Sequence, residues 1–199
     1  LLLGIGANGA RQIQIDPGNE ALFLRDDPAR SAHAVFGELF GGDEVVIVAL
    51  QGPVMTRKGL ARLEKLTEDL GDLPGVDHAV SLTNARNVYQ GPVEVYSWAP
   101  YEWVVDEERT VAEFAAEVLA EPLFIDNLVS QDAATTAIVV TLEHRDEKLV
   151  ESLRRLAAET QADGFEAHVA GFPVERYDFA KLIREDQQLF VPLIVLVIA

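Results

Sequence analysis

A chain of 199 residues is long enough for one domain or two small ones, and 49% hydrophobic residues are enough to bury a real core. A formal net charge of −17 repels phosphate backbones and anionic headgroups, which excludes nucleic acid as a natural partner and disfavours a domain lying flat on a lipid surface. With no cysteine, disulfides, thiolate chemistry and cysteine-based zinc sites are excluded too.

Residues 1–7 (LLLGIGA) are apolar and give way to Asn8 and Arg11, while residues 189–199 (LFVPLIVLVIA) are apolar and uncharged. A membrane-spanning helix needs about 20 such residues, so the second run is roughly half of one. A buried strand is its alternative, but Pro192 lies inside it and a central strand tolerates proline poorly. The alternative for the first run is the tail of a signal peptide. The expectation is a piece of a larger membrane protein, with residues 1–10 closing one transmembrane helix and residues 173–199 leading into the next.

Residues 11–42 predict a linker and a short helix. Pro17, Gly18 and Pro28 mark the linker, and Ala32, Val35, Phe36, Leu39 and Phe40 give 29–40 a helical spacing that Gly41 and Gly42 end. Residues 44–50 (EVVIVAL) are a continuous apolar run, which predicts a strand buried on both faces. Leu60, Leu63, Leu66, Thr67 and Leu70 then give one apolar helix face over 58–70, and 76–82 (VDHAVSL) reads as a second strand. The same order returns: a β-branched strand at 134–142, a helix at 146–162 with Leu149, Leu153, Leu156, Ala157 and Thr160 on one face, and a strand at 165–170. Two such units in series predict an α+β domain over 43–172. It is of the split β-α-β, ferredoxin-like kind, with an antiparallel sheet and both helices on one face.

Between the units lies an insert, 83–133, an additional small subdomain. It holds Tyr89, Tyr96, Trp98, Tyr101 and Trp103, five of the six Trp and Tyr residues in the chain. Gly91, Pro92 and Pro100 make that stretch extended or a hairpin. Residues 110–119 follow as a helix with Val111, Phe114, Ala115 and Val118 inward. Finally 173–188 predicts a helix entered through Gly171, Phe172 and Pro173, striped by Phe179, Leu182 and Ile183 and unbroken before Leu189.

Signatures of catalysis are missing. His33, His78, His144 and His168 are far apart and form no metal-ligand spacing. Asp77–His78 and Glu143–His144 are adjacent, but neighbours along a strand point to opposite faces. The acidic clusters follow no calcium-loop pattern, and neither a phosphate loop nor a nucleophile elbow is present. The reading is no enzyme, no metal and no cofactor. The aromatic stretch allows two readings: the private core of the insert, or the wall of an apolar cleft or docking surface.

Four stretches in order carry a family resemblance: 36–50 (FGELFGGDEVVIVAL), 73–84 (LPGVDHAVSLTN), 128–142 (LVSQDAATTAIVVTL) and 171–199 (GFPVERYDFAKLIREDQQLFVPLIVLVIA), the last with Asp186, Phe190 and Pro192 in familiar places. The chain resembles the first extracytoplasmic, porter domain of resistance-nodulation-division (RND) superfamily exporters, closest to the branch of the mycobacterial large membrane proteins and hopanoid-type lipid exporters. The resemblance implies a domain on the periplasmic side of a bacterial inner membrane, held there by its flanking helices and by the rest of the transporter chain. It implies a hydrophobic or lipid-like substrate and leaves a homo-oligomer open. Transport would be proton-driven, through acidic residues of later helices that this sequence does not include. On this reading Tyr89, Tyr96, Trp98, Tyr101 and Trp103 are substrate-path candidates, and Gly171 and Pro173 are hinge candidates. The rival readings are an extracytoplasmic sensor domain of a membrane receptor and an RND-related protein-export accessory, with a secreted enzyme last.

Overall fold

The structure, a computed structural model, describes residues 27–29, 32, 35, 44–90, 95–143, 146–162 and 164–198. The expected membrane end at 1–10, the linker at 11–26, most of the expected helix at 29–40, and His33 and His144 lie outside them.

The fold is mixed α+β, built on a four-stranded antiparallel sheet. Its strands are β1 (Val45–Gln51), β2 (Val76–Val80), β5 (Thr135–Leu142) and β6 (Glu166–Ala170), in the order β2-β5-β1-β6. The two strands of each strand–helix–strand unit are therefore parallel and separated by a strand of the other unit. Helix α1 (Arg57–Gly71) joins β1 to β2, and α4 (Glu147–Glu159) joins β5 to β6. Between the units come the hairpin β3 (Asn87–Gln90) and β4 (Val95–Trp98), the one-turn helix α2 (Glu102–Val105) and helix α3 (Val111–Ala120). Residues Gly42–Val174 make one compact unit, and the greater part of the last helix, α5 (Phe172–Ile198), belongs to a second.

The core follows from the alternation of side chains along a strand. Val46, Val48 and Leu50 of β1, with Thr136, Ile138, Val140 and Leu142 of β5, are buried on one face. Helices α1 and α4 pack against each other and over this face with Leu60, Leu63, Leu66 and Leu70 and with Leu149, Val150, Leu153 and Ala157. The expectation that β1 is buried on both faces is corrected: Ile47 is 43% exposed, because both helices cover the same side of the sheet. Arg62 ties the two helical connections together. Its guanidinium donates to the carbonyls of Thr160 and Ala162 at 3.2 and 2.7 Å and lies 4.8 Å from the centre of the Phe165 ring.

A second correction concerns Asp77 and His78. They were expected on opposite faces, yet Asp77 Oδ2 lies 2.7 Å from His78 Nδ1, and His78 Nε2 lies 3.2 Å from Thr141 Oγ1. The β2–β5 register shifts between Val76 and His78, and such a bulge breaks the alternation.

Helix α5 is continuous for 27 residues and includes Pro192. Pro173 sits in its first turn, where a missing N–H costs nothing, and is buried with Val174 and Ala180. Phe179 and Leu182 of the expected stripe are exposed, as are Leu189, Phe190, Leu193 and Ile194. Among the described residues no helix is long and apolar enough to cross a membrane. Gly171, at the β6–α5 junction, has φ +134°, and a Cβ there would come 2.6 Å from the carbonyl oxygen of Val45. The junction thus needs glycine for both conformation and space.

Two outcomes follow for stability. Leu63→Asp and Leu153→Asp each place an unpaired carboxylate at a fully buried position and should cost roughly 3–5 kcal/mol, a large share of a typical domain's stability. Denaturant melts within a few tenths of a kcal/mol of the parent would refute this packing. Gly171→Ala should cost about 1–3 kcal/mol by the same measurement, from strain and the clash with β1; a neutral result would mean that the junction relaxes freely.

Candidate functional site

The insert is hung from the sheet at both ends. At its start, Thr67 of α1 donates to the Leu63 carbonyl and lies 2.8 Å from the Ser81 hydroxyl, which lies 2.8 Å from that of Thr83. Asn84 closes the turn, accepting from the Ser81 N–H and donating to the Ala79 carbonyl, both at 2.8 Å. At its end, the Leu128 carbonyl accepts from the Ala137 N–H and from the buried Thr136 hydroxyl.

Hairpin β3–β4 sets Asn87 opposite Trp98 and Tyr89 opposite Tyr96. The expectation of an extended or hairpin stretch holds as far as Trp98, but Glu102–Val105 turns into helix α2 and carries Trp103 with it. Glu107 adopts φ +60°, the left-handed conformation that commonly ends a helix. The chain then doubles back, and the Arg109 N–H donates to the Trp103 carbonyl at 2.9 Å. Thr110 opens α3 through a capping box with Glu113.

These turns bring three of the five candidate aromatics together. The Tyr89 ring meets Trp103 edge-on with centroids 5.0 Å apart, and Trp98 stacks on Trp103 at 6.4 Å with 17° between planes. Trp98 is 38% exposed, and Tyr89 and Trp103 are half-buried. Tyr101 goes elsewhere: it is buried, edge-on to Phe114 at 5.9 Å, and its hydroxyl donates to Glu64 of α1 at 3.3 Å. The side chain of Tyr96 lies outside the described residues.

Residues that sequence reasoning passed over complete the cluster. The Arg109 guanidinium lies 4.0 Å from the centre of the Trp103 ring and pairs with Glu117 of α3. The other Glu117 oxygen accepts from the Tyr89 hydroxyl at 2.6 Å, and one turn on, Glu121 accepts from Asn87 at 3.1 Å. The signal for this was present in part. Glu113 and Glu117 fall at four-residue spacing on one side of a helix, with Glu121 four residues further on just past its end, beside a strand whose Asn87 and Tyr89 fall at two-residue spacing on one side.

Two surface grooves lie away from the cluster. One, of about 430 Å³, is lined by Glu64, Thr67, Glu68, Asp72, Thr83 and Asn84 among others; a second, of about 310 Å³, lies between α1 and α4 and includes Arg62, Lys65 and Glu159. Neither is lined by any of the five aromatics. Among the described residues, no group of three or more His, Asp or Glu side chains could hold a metal ion.

Burial pushes the Tyr101 phenol up to about 12, with the Glu64 carboxylate beside it adding to the effect. Burial also raises Tyr89 well above the ordinary phenol value of about 10, followed by its hydrogen bond to Glu117 and that group's charge. A raised pKa on an acid means that the fold favours the neutral phenol. The stabilisation is complete below about pH 10 and is lost as pH rises through the folded values. An alkaline ultraviolet titration should therefore show two phenols ionising late, together with unfolding, and Tyr89→Phe and Tyr101→Phe should each remove one. Four phenols titrating together near the ordinary value would contradict the burial of both.

The model of the MMPL family matches residues 27–199. No curated protein matches the chain.

Proposed function

The chain belongs to the MMPL family, whose members are membrane transporters, and from that premise we propose that it is the first extracytoplasmic, porter-type domain of a proton-driven RND-type exporter that handles lipids or other hydrophobic molecules. In this reading the interleaved strand order is the split β-α-β, ferredoxin-like core of such a domain. Residues 83–133 are its substrate-handling insert, and α5 connects it to the next membrane helix. The domain works on the periplasmic side and performs no covalent chemistry.

The observation that carries the substrate-handling role is the exposure of Trp98, which is stacked on Trp103. An acyl chain laid on such a ledge loses water from both surfaces, at about 25 cal/mol per Å² of apolar area, and leaves no polar group unpaired. Force transmission is supported by the β6–α5 junction. Gly171 lies directly against the backbone of β1, so a displacement of the first turn of α5 is passed to the central strand as movement of a packed element.

In the intact transporter, the paired substitution Trp98→Ala and Trp103→Ala should lower transport of a lipid-like substrate at unchanged expression. A photo-crosslinker at position 98 should give adducts with lipid. Normal transport by the well-folded double variant would remove these aromatics from the path, and adducts only with protein would assign the ledge to a subunit or partner contact.

A further inference from the structure

Secondary structure alone does not fix the geometry of the Trp98–Trp103 ledge. Trp98 ends a two-stranded hairpin, and such a hairpin is marginal by itself in water. Trp103 sits on a helix of four residues, too short to hold its own shape. The stack must be set by what grips it, and the grips converge on one residue, two of them through its side chain. The Arg109 guanidinium lies on the Trp103 ring, the Arg109 N–H holds the Trp103 carbonyl, and the guanidinium pairs with Glu117. Glu117 in turn holds the hydroxyl of Tyr89, whose ring packs edge-on against the same Trp103.

We infer that Arg109 is the positioning residue of the ledge: its planar cation fixes the Trp103 ring against Trp98 and thereby sets the apolar surface that a substrate meets. This rests on the reading of the ledge as part of the substrate path. The chemistry favours arginine specifically. A guanidinium is flat, stacks on an aromatic face and at the same time offers donors in its plane to a carboxylate, whereas a lysine ammonium is a hydrated point charge that cannot do both. Arg86, the other basic residue in 83–133, is engaged elsewhere, donating to the Ser97 carbonyl at 2.7 Å. No other residue of the insert can replace Arg109 in this role.

The test uses the intact transporter in vesicles, with transport of a fluorescent lipid-like substrate measured over a range of concentrations. Arg109→Ala should raise the apparent KM about tenfold with kcat little changed, which is the scale of one cation–π contact and one ion pair. It should also abolish the tryptophan exciton couplet in circular dichroism, read as the difference from a Trp98→Phe background. Millimolar guanidinium should restore both. Should Arg109→Ala fail to fold, Arg109→Lys carries the test: the charge is kept, and both the couplet and the KM should still deteriorate. An unchanged couplet or an unchanged KM in either folded variant overturns the inference, as does a loss that guanidinium leaves untouched. The two levels separate cleanly. Impaired Trp98→Ala, Trp103→Ala transport beside normal Arg109→Ala transport sinks only the role of Arg109, whereas normal transport by the tryptophan variant sinks the substrate path itself.

Discussion

The pairing of β1 with β5 is the constraint from which the rest of the structure follows. Seven residue pairs, from Val45↔Thr141 to Gln51↔Thr135, join the first strand of one strand–helix–strand unit to the first strand of the other. Neither unit has a core alone, since each is one helix over two strands that do not touch. Interleaving them puts Val46, Val48 and Leu50 beside Ile138, Val140 and Leu142 under a pair of helices. The register is strongly specified, because a slip by one residue would turn every one of these side chains to the open face. The same strand, β5, positions the insert: Thr136 faces inward with the core residues, and its hydroxyl reaches the Leu128 carbonyl. The aromatic cluster thus inherits its place from the most buried part of the sheet.

How much of this the sequence discloses varies with the range of the interaction that decides each element. The helices over Arg57–Gly71 and Glu147–Glu159 are legible because their leucines repeat at helical spacing and local pattern agrees with burial. The run 44–50 misleads about β1. A wholly apolar strand implies two covered faces, yet Val45, Ile47 and Ala49 sit on the face that the two helices leave open. The Asp77–His78 contact is illegible for a related reason, since a bulge is a property of two strands in register and not of either sequence. In the aromatic stretch, Gly91 and Pro92 announce the hairpin. The four residues of α2 carry no such signal, and the positive φ at Glu107 that returns Arg109 to Trp103 is borne by a residue that seldom adopts it.

The insert also shows how an acid-rich sequence can hold an apolar surface open. Glu113, Glu117 and Glu121 follow one another at four-residue spacing, an arrangement that repels itself on a helix. Each is answered separately. Thr110 donates to Glu113 at the start of α3, Arg109 and Tyr89 meet Glu117, and Asn87 and the Leu123 N–H meet Glu121. The match is geometric: two residues along a strand advance about 6.6–6.8 Å and four along a helix about 6.0 Å, so Asn87 and Tyr89 fall opposite Glu121 and Glu117 nearly in step. A hairpin clamped in this way is held by directional polar contacts as well as by the packing of Tyr89 and Trp98 on Trp103. Apolar packing would gain by closing over Trp98, since it is satisfied only when area is covered. Hydrogen bonds and an ion pair are satisfied once their partners are in place, and they have no use for the remaining surface. That difference lets the fold keep Trp98 38% exposed.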